Sequence, residues 1–191
     1  GNVCNLHCCD IKRTSGLAVG RLALADVERF LGELWPWLVQ VNLFNWGEPA
    51  LNPQLPEIVR RIHDHGVGTQ IHTNLNHLPE PLAAGLVDAG LDVVVASIDG
   101  VTQAVYEQYR RGGDVEKAFG NLRRLLRLRA ERSADSPRVV WRFLCFPHNL
   151  HEIEAAKRLA EEIGVDDLAL GEGGLAGETW TPTGPKRADP A

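Results

Sequence analysis

Short runs of β-branched and other apolar residues alternate along the chain with stretches whose apolar positions recur at helical spacing. This alternation builds a parallel sheet with helices packed outside it. The predicted strands are Val39 to Phe44, Val67 to His72, Asp92 to Ile98, Arg138 to Phe146 and Asp167 to Leu170. Ala25 to Leu34 sets Val27, Phe30, Leu31 and Leu34 on one helical face, and Leu55, Ile58, Val59 and Ile62 repeat that spacing ahead of Gly66, a C-cap residue by type. Pro81 to Ala89 reads as a third helix ended by Gly90. Asp114 reads as the N-cap of a long helix with Val115, Phe119, Leu122, Leu125 and Leu126 inward and Arg123, Arg124, Arg127 and Arg129 largely in solvent. Glu152 to Ile163, closed by Gly164, is the last helix. The fold class is α/β. Periodicity leaves a barrel and a doubly wound open sheet as alternatives, and both place ligands at the carboxyl ends of the strands.

The 191 residues, 44% of them hydrophobic, suit one domain with its own core. A net charge of −5 supplies no basic field for nucleic acid or an anionic membrane, so neither is expected as a partner. No apolar run approaches the ~20 residues of a membrane span and no signal-peptide core is present near the start. The expected location is cytoplasmic. The chain opens at Gly1, contains no Met, and runs from Thr179 to Ala191 in Pro, Gly and Thr. Both ends read as cut edges of something longer, with a core over 1–171 and a Pro/Gly-rich tail over 172–191.

Three of the four cysteines, Cys4, Cys8 and Cys9, fall within six residues, unlike a secreted disulfide framework. Crowded thiols suit soft metals. Zinc and incidental buried thiols remain alternatives, although no CxxC or His pair supplies a tetrahedral set. Asn45-Trp46-Gly47-Glu48-Pro49 follows the first predicted strand, His72-Thr73-Asn74 the second and Ser97-Ile98-Asp99-Gly100 the third. Alone, Gly-Glu-Pro is an ordinary turn; with Gly47 permitting close backbone approach, Glu48 could accept from a ligand's ammonium group. The recurrence of polar groups at successive strand ends is what raises it above a turn. Cys145 reads as core packing, and His63, His65, His72, His77, His148 and His151 share no metal-ligand spacing.

These motifs, in this order, resemble the radical S-adenosylmethionine (SAM) superfamily: CNLHC, WGEP, HTN and SIDG stand where that family has its cysteine loop, Gly-Glu-Pro, Thr-Asn and Ser-x-Asp-Gly. AVYEQYRRGGDVEKAFGNLRRL looks like the following segment of the subgroup with a carboxy-terminal auxiliary-cluster (SPASM) extension. The resemblance implies a partial (β/α)6 TIM-like barrel of parallel strands, its first strand largely missing. It implies a 4Fe-4S cluster on Cys4, Cys8 and Cys9, with SAM gripped by Gly47, Glu48 and Pro49, by Ser97 with Arg110 or Arg111, and by Asn74; Asp99 reads as a turn or cap residue. The implied activity is reductive cleavage of SAM to a 5′-deoxyadenosyl radical that abstracts hydrogen from a small-molecule or peptide substrate. The electron would come from an external donor such as flavodoxin or ferredoxin. Cys8 and Cys9 are adjacent where the family leaves two residues. Either two residues and with them the cluster have been lost, leaving a SAM-binding or protein-interaction barrel, or two residues are absent from this sequence.

Overall fold

The computed structural model describes residues 2–8 and 18–172. Five strands, β1 (Gln40–Asn42), β2 (Gly68–Thr73), β3 (Val93–Ser97), β4 (Arg138–Cys145) and β5 (Asp167–Glu172), form one sheet in that order, every pairing parallel. That order settles what periodicity left open. A doubly wound sheet reverses direction at an inner strand, whereas here each crossover steps to the next neighbour, as in a barrel wall.

Six helices among the described residues supply the crossovers and flank: α1 (Leu24–Leu31), α2 (Leu55–His63), α3 (Glu80–Asp88), α4 (Gln103–Tyr109), α5 (Val115–Glu131) and α6 (Ile153–Ile163). The core lies between them and one face of the sheet. Ile71, Val94, Ala96, Val139, Trp141 and Phe143 pack there against Leu86, Phe119, Leu122, Leu125 and Ala156. The intervening positions, Gln70, His72, Ser97 and Arg142 among them, therefore point to the opposite face.

Boundaries differ from the periodic reading chiefly at the first helix and the first strand. The first helix stops at Leu31 and leaves Phe30 59% and Leu34 47% exposed. A short turn, Trp35–Trp37 around Pro36, breaks the helical path, and Trp35 and Leu38 pack on Val27, Ile58, Ile62 and Val67 instead. The strand Val39 to Phe44 is assigned only over Gln40–Asn42, with Val39 86% exposed. Helix α4 was visible in the sequence only as part of a motif. Its start is tied to that of α6 by buried Glu152, which accepts from Val101 N at 2.6 Å and from the Thr102 hydroxyl at 2.6 Å. The tail lies outside the described residues beyond Glu172.

Candidate active site

At the exit of β1 the chain turns through Gly47, whose φ of 105° is costly for any other residue. The turn directs Glu48 inward, 5% exposed. Its carboxylate accepts from Ala50 N at 3.0 Å and from Asn74 N at 2.8 Å, and meets Thr73 as well. Burial raises its pKa, opposed by those hydrogen bonds and by the charge of Arg110. At the end of β2, Asn74 accepts from Asn76 N at 2.8 Å and donates through Nδ2 to Asn5 Oδ1 at 2.9 Å.

The end of β3 presents Ser97 and, two residues on, Asp99, which is fully buried. Asp99 is not simply a turn residue. Its Oδ2 accepts from Arg110 Nε at 2.5 Å and its Oδ1 from Leu144 N at 2.7 Å, so one carboxylate links the end of β3, the end of α4 and β4. Gly100 makes that approach possible, since a Cβ there would lie 2.7 Å from Tyr106 N and Cα. The Arg110 side chain, 12% exposed, reaches Cys8 Sγ through Nη1 at 3.7 Å. Burial opposes its charge, but Asp99, followed by Cys8 and Tyr109, more than offsets this and its pKa rises.

The cysteine loop crosses these strand ends and is bonded to three of the connections. Val3 O accepts from Glu48 N at 2.7 Å, Asn5 accepts from Asn74, and His7 N donates to Arg111 O at 3.0 Å. The result is one cavity of about 170 Å³ walled by Cys4, Cys8, Gly47, Glu48, Thr73, Asn74, Ser97, Tyr109 and Arg110, with Phe44, Asn45 and His72 completing it. Burial raises the Cys4 thiol pKa, with smaller contributions from Cys8 and Glu48 and an opposing hydrogen bond from Leu6 N.

Of the residues singled out from sequence, Cys4, Cys8, Gly47, Glu48, Asn74, Ser97 and Arg110 share this cavity. Pro49 and Arg111 do not line it: Pro49 faces a separate, mostly apolar void of about 310 Å³ between α1, α2 and β1, and Arg111 is exposed and contributes its carbonyl. Cys9, and with it the spacing of the third thiol, lies outside the described residues. The sequence reading missed Asp99 as the partner of Arg110, Asn5 as a latch on Asn74, and His72. The His72 ring stacks on Phe44 at 3.6 Å, and burial, with the charge of Arg142, lowers its pKa to about 4. Strand alternation placed His72 on the same face as Ser97 and was the signal available for it.

Among the described residues no three His, Cys, Asp or Glu side chains are grouped closely enough to hold a metal by themselves. Cys4 and Cys8 in one cavity nevertheless fit a cluster held by soft donors. In the same cavity, a carboxylate has about four acceptor sites, not all taken at Glu48, and Arg110 offers a paired guanidinium. A ligand with both an ammonium and a carboxylate group suits that combination.

The radical SAM superfamily pattern matches residues 1–160. A probable GTP 3′,8-cyclase of Metallosphaera sedula is 29% identical over 176 residues, 88% of this chain and 52% of that protein. An AdoMet-dependent heme synthase of Methanosarcina barkeri is 29% identical over 164 residues, 84% of this chain and 45% of that protein. The chain thus spans about half the length of these curated relatives. The crystal structure of Streptococcus suis SuiB bound to S-adenosylmethionine superposes with a TM-score of 0.70 at 12% identity, over 93% of this chain and 38% of that one. SuiB bound to its precursor peptide SuiA gives 0.70 at 13%, over 88% and 36%. At these identities the likeness is one of fold.

Proposed function

The chain belongs to the radical SAM superfamily, whose enzymes use a 4Fe-4S cluster and SAM, and from that premise we propose that it is the catalytic core of a radical SAM enzyme. The convergence of Cys4 and Cys8 with Glu48, Ser97 and Arg110 on one cavity carries this reading. When bound, the cluster and SAM supply one-electron cleavage of the sulfonium, giving methionine and a 5′-deoxyadenosyl radical that removes a hydrogen atom from substrate.

Cys4, Cys8 and Cys9 hold the cluster. Glu48 accepts from the SAM amino group, and Gly47 lets the backbone approach it; Pro49 fixes the turn behind. Ser97 and Arg110 receive the SAM carboxylate or ribose, with Asp99 aiming the guanidinium. Asn74 acts through Asn5, setting the loop that presents the thiols. Phe44 and the neutral His72 ring form an apolar wall that keeps water from the reacting centre. Arg111 anchors the loop by its carbonyl. The electron comes from a flavodoxin- or ferredoxin-like donor, and the substrate is a small molecule or a peptide, the peptide option being supported by the complex of SuiB with SuiA.

Anaerobic reconstitution with ferrous iron and sulfide tests the assignment. The expected product is a brown protein that yields methionine and 5′-deoxyadenosine on reduction with SAM, and each of Cys4→Ser and Cys8→Ser removes both properties. A protein that stays colourless with its sequence intact overturns it. The adjacency of Cys8 and Cys9 favours a second reading, a SAM-binding barrel without a cluster; SAM affinity indifferent to iron loading identifies that case.

A further inference from the structure

Parallel sheets covered on both faces are commonly apolar on both. The helix-facing side of this sheet keeps to that pattern, but the opposite side does not. Across β1 and β2 a run of polar side chains is bonded within itself: Gln40 Nε2 donates to Asn42 Oδ1 at 2.7 Å and to Gln70 Oε1 at 3.4 Å, and Gln70 Nε2 lies 2.9 Å from His72 Nε2. On the same side, two strands away from His72 and therefore ~10 Å across the sheet, stands Arg142. Its register partners are Ser97 on β3 and Ala169 on β5, so its side chain leaves the sheet on the side from which Ser97 faces the cofactor cavity. Its Nε lies 3.7 Å from the position a Cβ on Gly171 would take, so the guanidinium reaches over β5.

Among the described residues no carboxylate and no hydrogen-bond acceptor meets the Arg142 guanidinium. Arg110, Arg129 and Arg132 each hold an aspartate. On its own side Arg142 is flanked by Val140 and Leu144 on β4, Val95 and Ser97 on β3, and Asp167, Ala169 and Gly171 on β5, and the one acid among them, Asp167, is paired instead with Arg138 at 3.5 Å. The charge is felt at His72, where after burial it is the second cause of the lowered pKa. A half-buried cation without a counter-ion is a cost to the fold, and a planar guanidinium matches two oxygens of one oxyanion.

Resting on the assignment of the neighbouring cavity to the cluster and SAM, we propose that Arg142 receives an oxyanion of the substrate, a carboxylate or a phosphate, and so fixes which substrates lie across the sheet beside the cofactor. The neutral His72 and the amide of Gln70 face the same space from β2 and give a substrate its uncharged hydrogen-bond partners. Arg142 is thereby a specificity residue separate from Arg110, whose guanidinium Asp99 aims into the cofactor cavity that Arg142 does not line.

The test uses the full 191-residue chain without iron, titrated with sodium phosphate and separately with sodium acetate at ionic strength held constant by sodium chloride. The Arg142 Nε–Hε resonance, assigned by triple-resonance NMR, is expected to shift saturably with at least one anion. The anion that saturates at lower concentration distinguishes a phosphate from a carboxylate substrate. A shift that is linear in both arms, or that chloride reproduces, overturns the proposal. In the reconstituted protein, Arg142→Gln should leave SAM affinity within about twofold of the parent while Arg110→Gln lowers it about tenfold or more; an equal loss in both places Arg142 in the SAM site and also overturns the proposal. Failure of the parent to take up a cluster refutes the cofactor assignment instead, since the anion titration is read without iron.

Discussion

Asp99 and Arg110 form a buried pair whose carboxylate has no exposed surface, and each needs the other. Removing one partner of such a pair typically costs about 3–5 kcal/mol because the remaining charge is stranded. Asp99→Ala is therefore expected to lower the unfolding free energy by about that amount in urea denaturation. It should also weaken SAM binding measured calorimetrically on reconstituted protein. A variant with unchanged SAM affinity would show that Arg110 does not depend on this carboxylate for its aim. His72 gives a second residue-scale expectation. Unfolded, a histidine titrates near 6.5, and folded His72 near 4. Between those values the unfolded chain holds the extra proton, so stability rises with pH across this window and is lost as pH falls through it. His148 is lowered in the same direction, whereas Glu48, raised, withdraws stability as pH climbs above its unfolded value. His72→Gln should flatten the rise in urea midpoint between pH 4 and 6.5 relative to the parent; an identical slope would assign it to other groups. The sequence showed that Asp99 and Arg110 belonged to adjacent motifs, but not that one held the other. That pairing depends on how α4 folds back, which Gly100 permits and no local pattern announces.

Among the elements, the cysteine segment depends most on others. It has no regular structure of its own over the described residues and takes its course from bonds to the turn after β1, the turn after β2 and the turn after α4. Asn74→Ala removes the middle bond and leaves Asn5 without its donor. Cluster content per chain after reconstitution should fall to a fraction of the parent's while the far-ultraviolet circular dichroism is unchanged; full cluster content would show that the outer two bonds suffice. The arginines of α5 show why a charged face is hard to read from sequence. Arg127 pairs with Glu131 and Glu80 near solvent, as expected. Arg124 donates to Leu78 O at 3.0 Å and Arg129 to Pro137 O at 2.9 Å, so both also tie the helix to neighbouring loops. Strands β2 to β5 and helices α2, α5 and α6 were legible because both their periodicity and their end residues agree with their burial. Helix α1 was overextended because Phe30 and Leu34 continue the apolar spacing past a point where Pro36 turns the chain.

For the whole molecule, the sequential strand order is what brings three separate sequence motifs to one end of one sheet, and the cysteine motif is bonded across them. Each motif was visible, and their meeting was implied by the family likeness. The face opposite the helices was not legible in that way: its amides, His72 and Arg142 alternate with the most hydrophobic residues of the chain and vanish into the average of each strand. Among the described residues no helix is long and apolar enough to cross a membrane. The three bonds of the cysteine segment also carry a consequence for the molecule as a unit. A group that grips Cys4 and Cys8 reaches, through Val3, Asn5 and His7, the tips of connections separated by much of the chain, and binding to the native state alone adds RT ln(1 + [L]/Kd) to its stability. Iron and sulfide should therefore act as a clasp: the melting temperature of the entire chain rises on loading and drops on chelation, in a single transition.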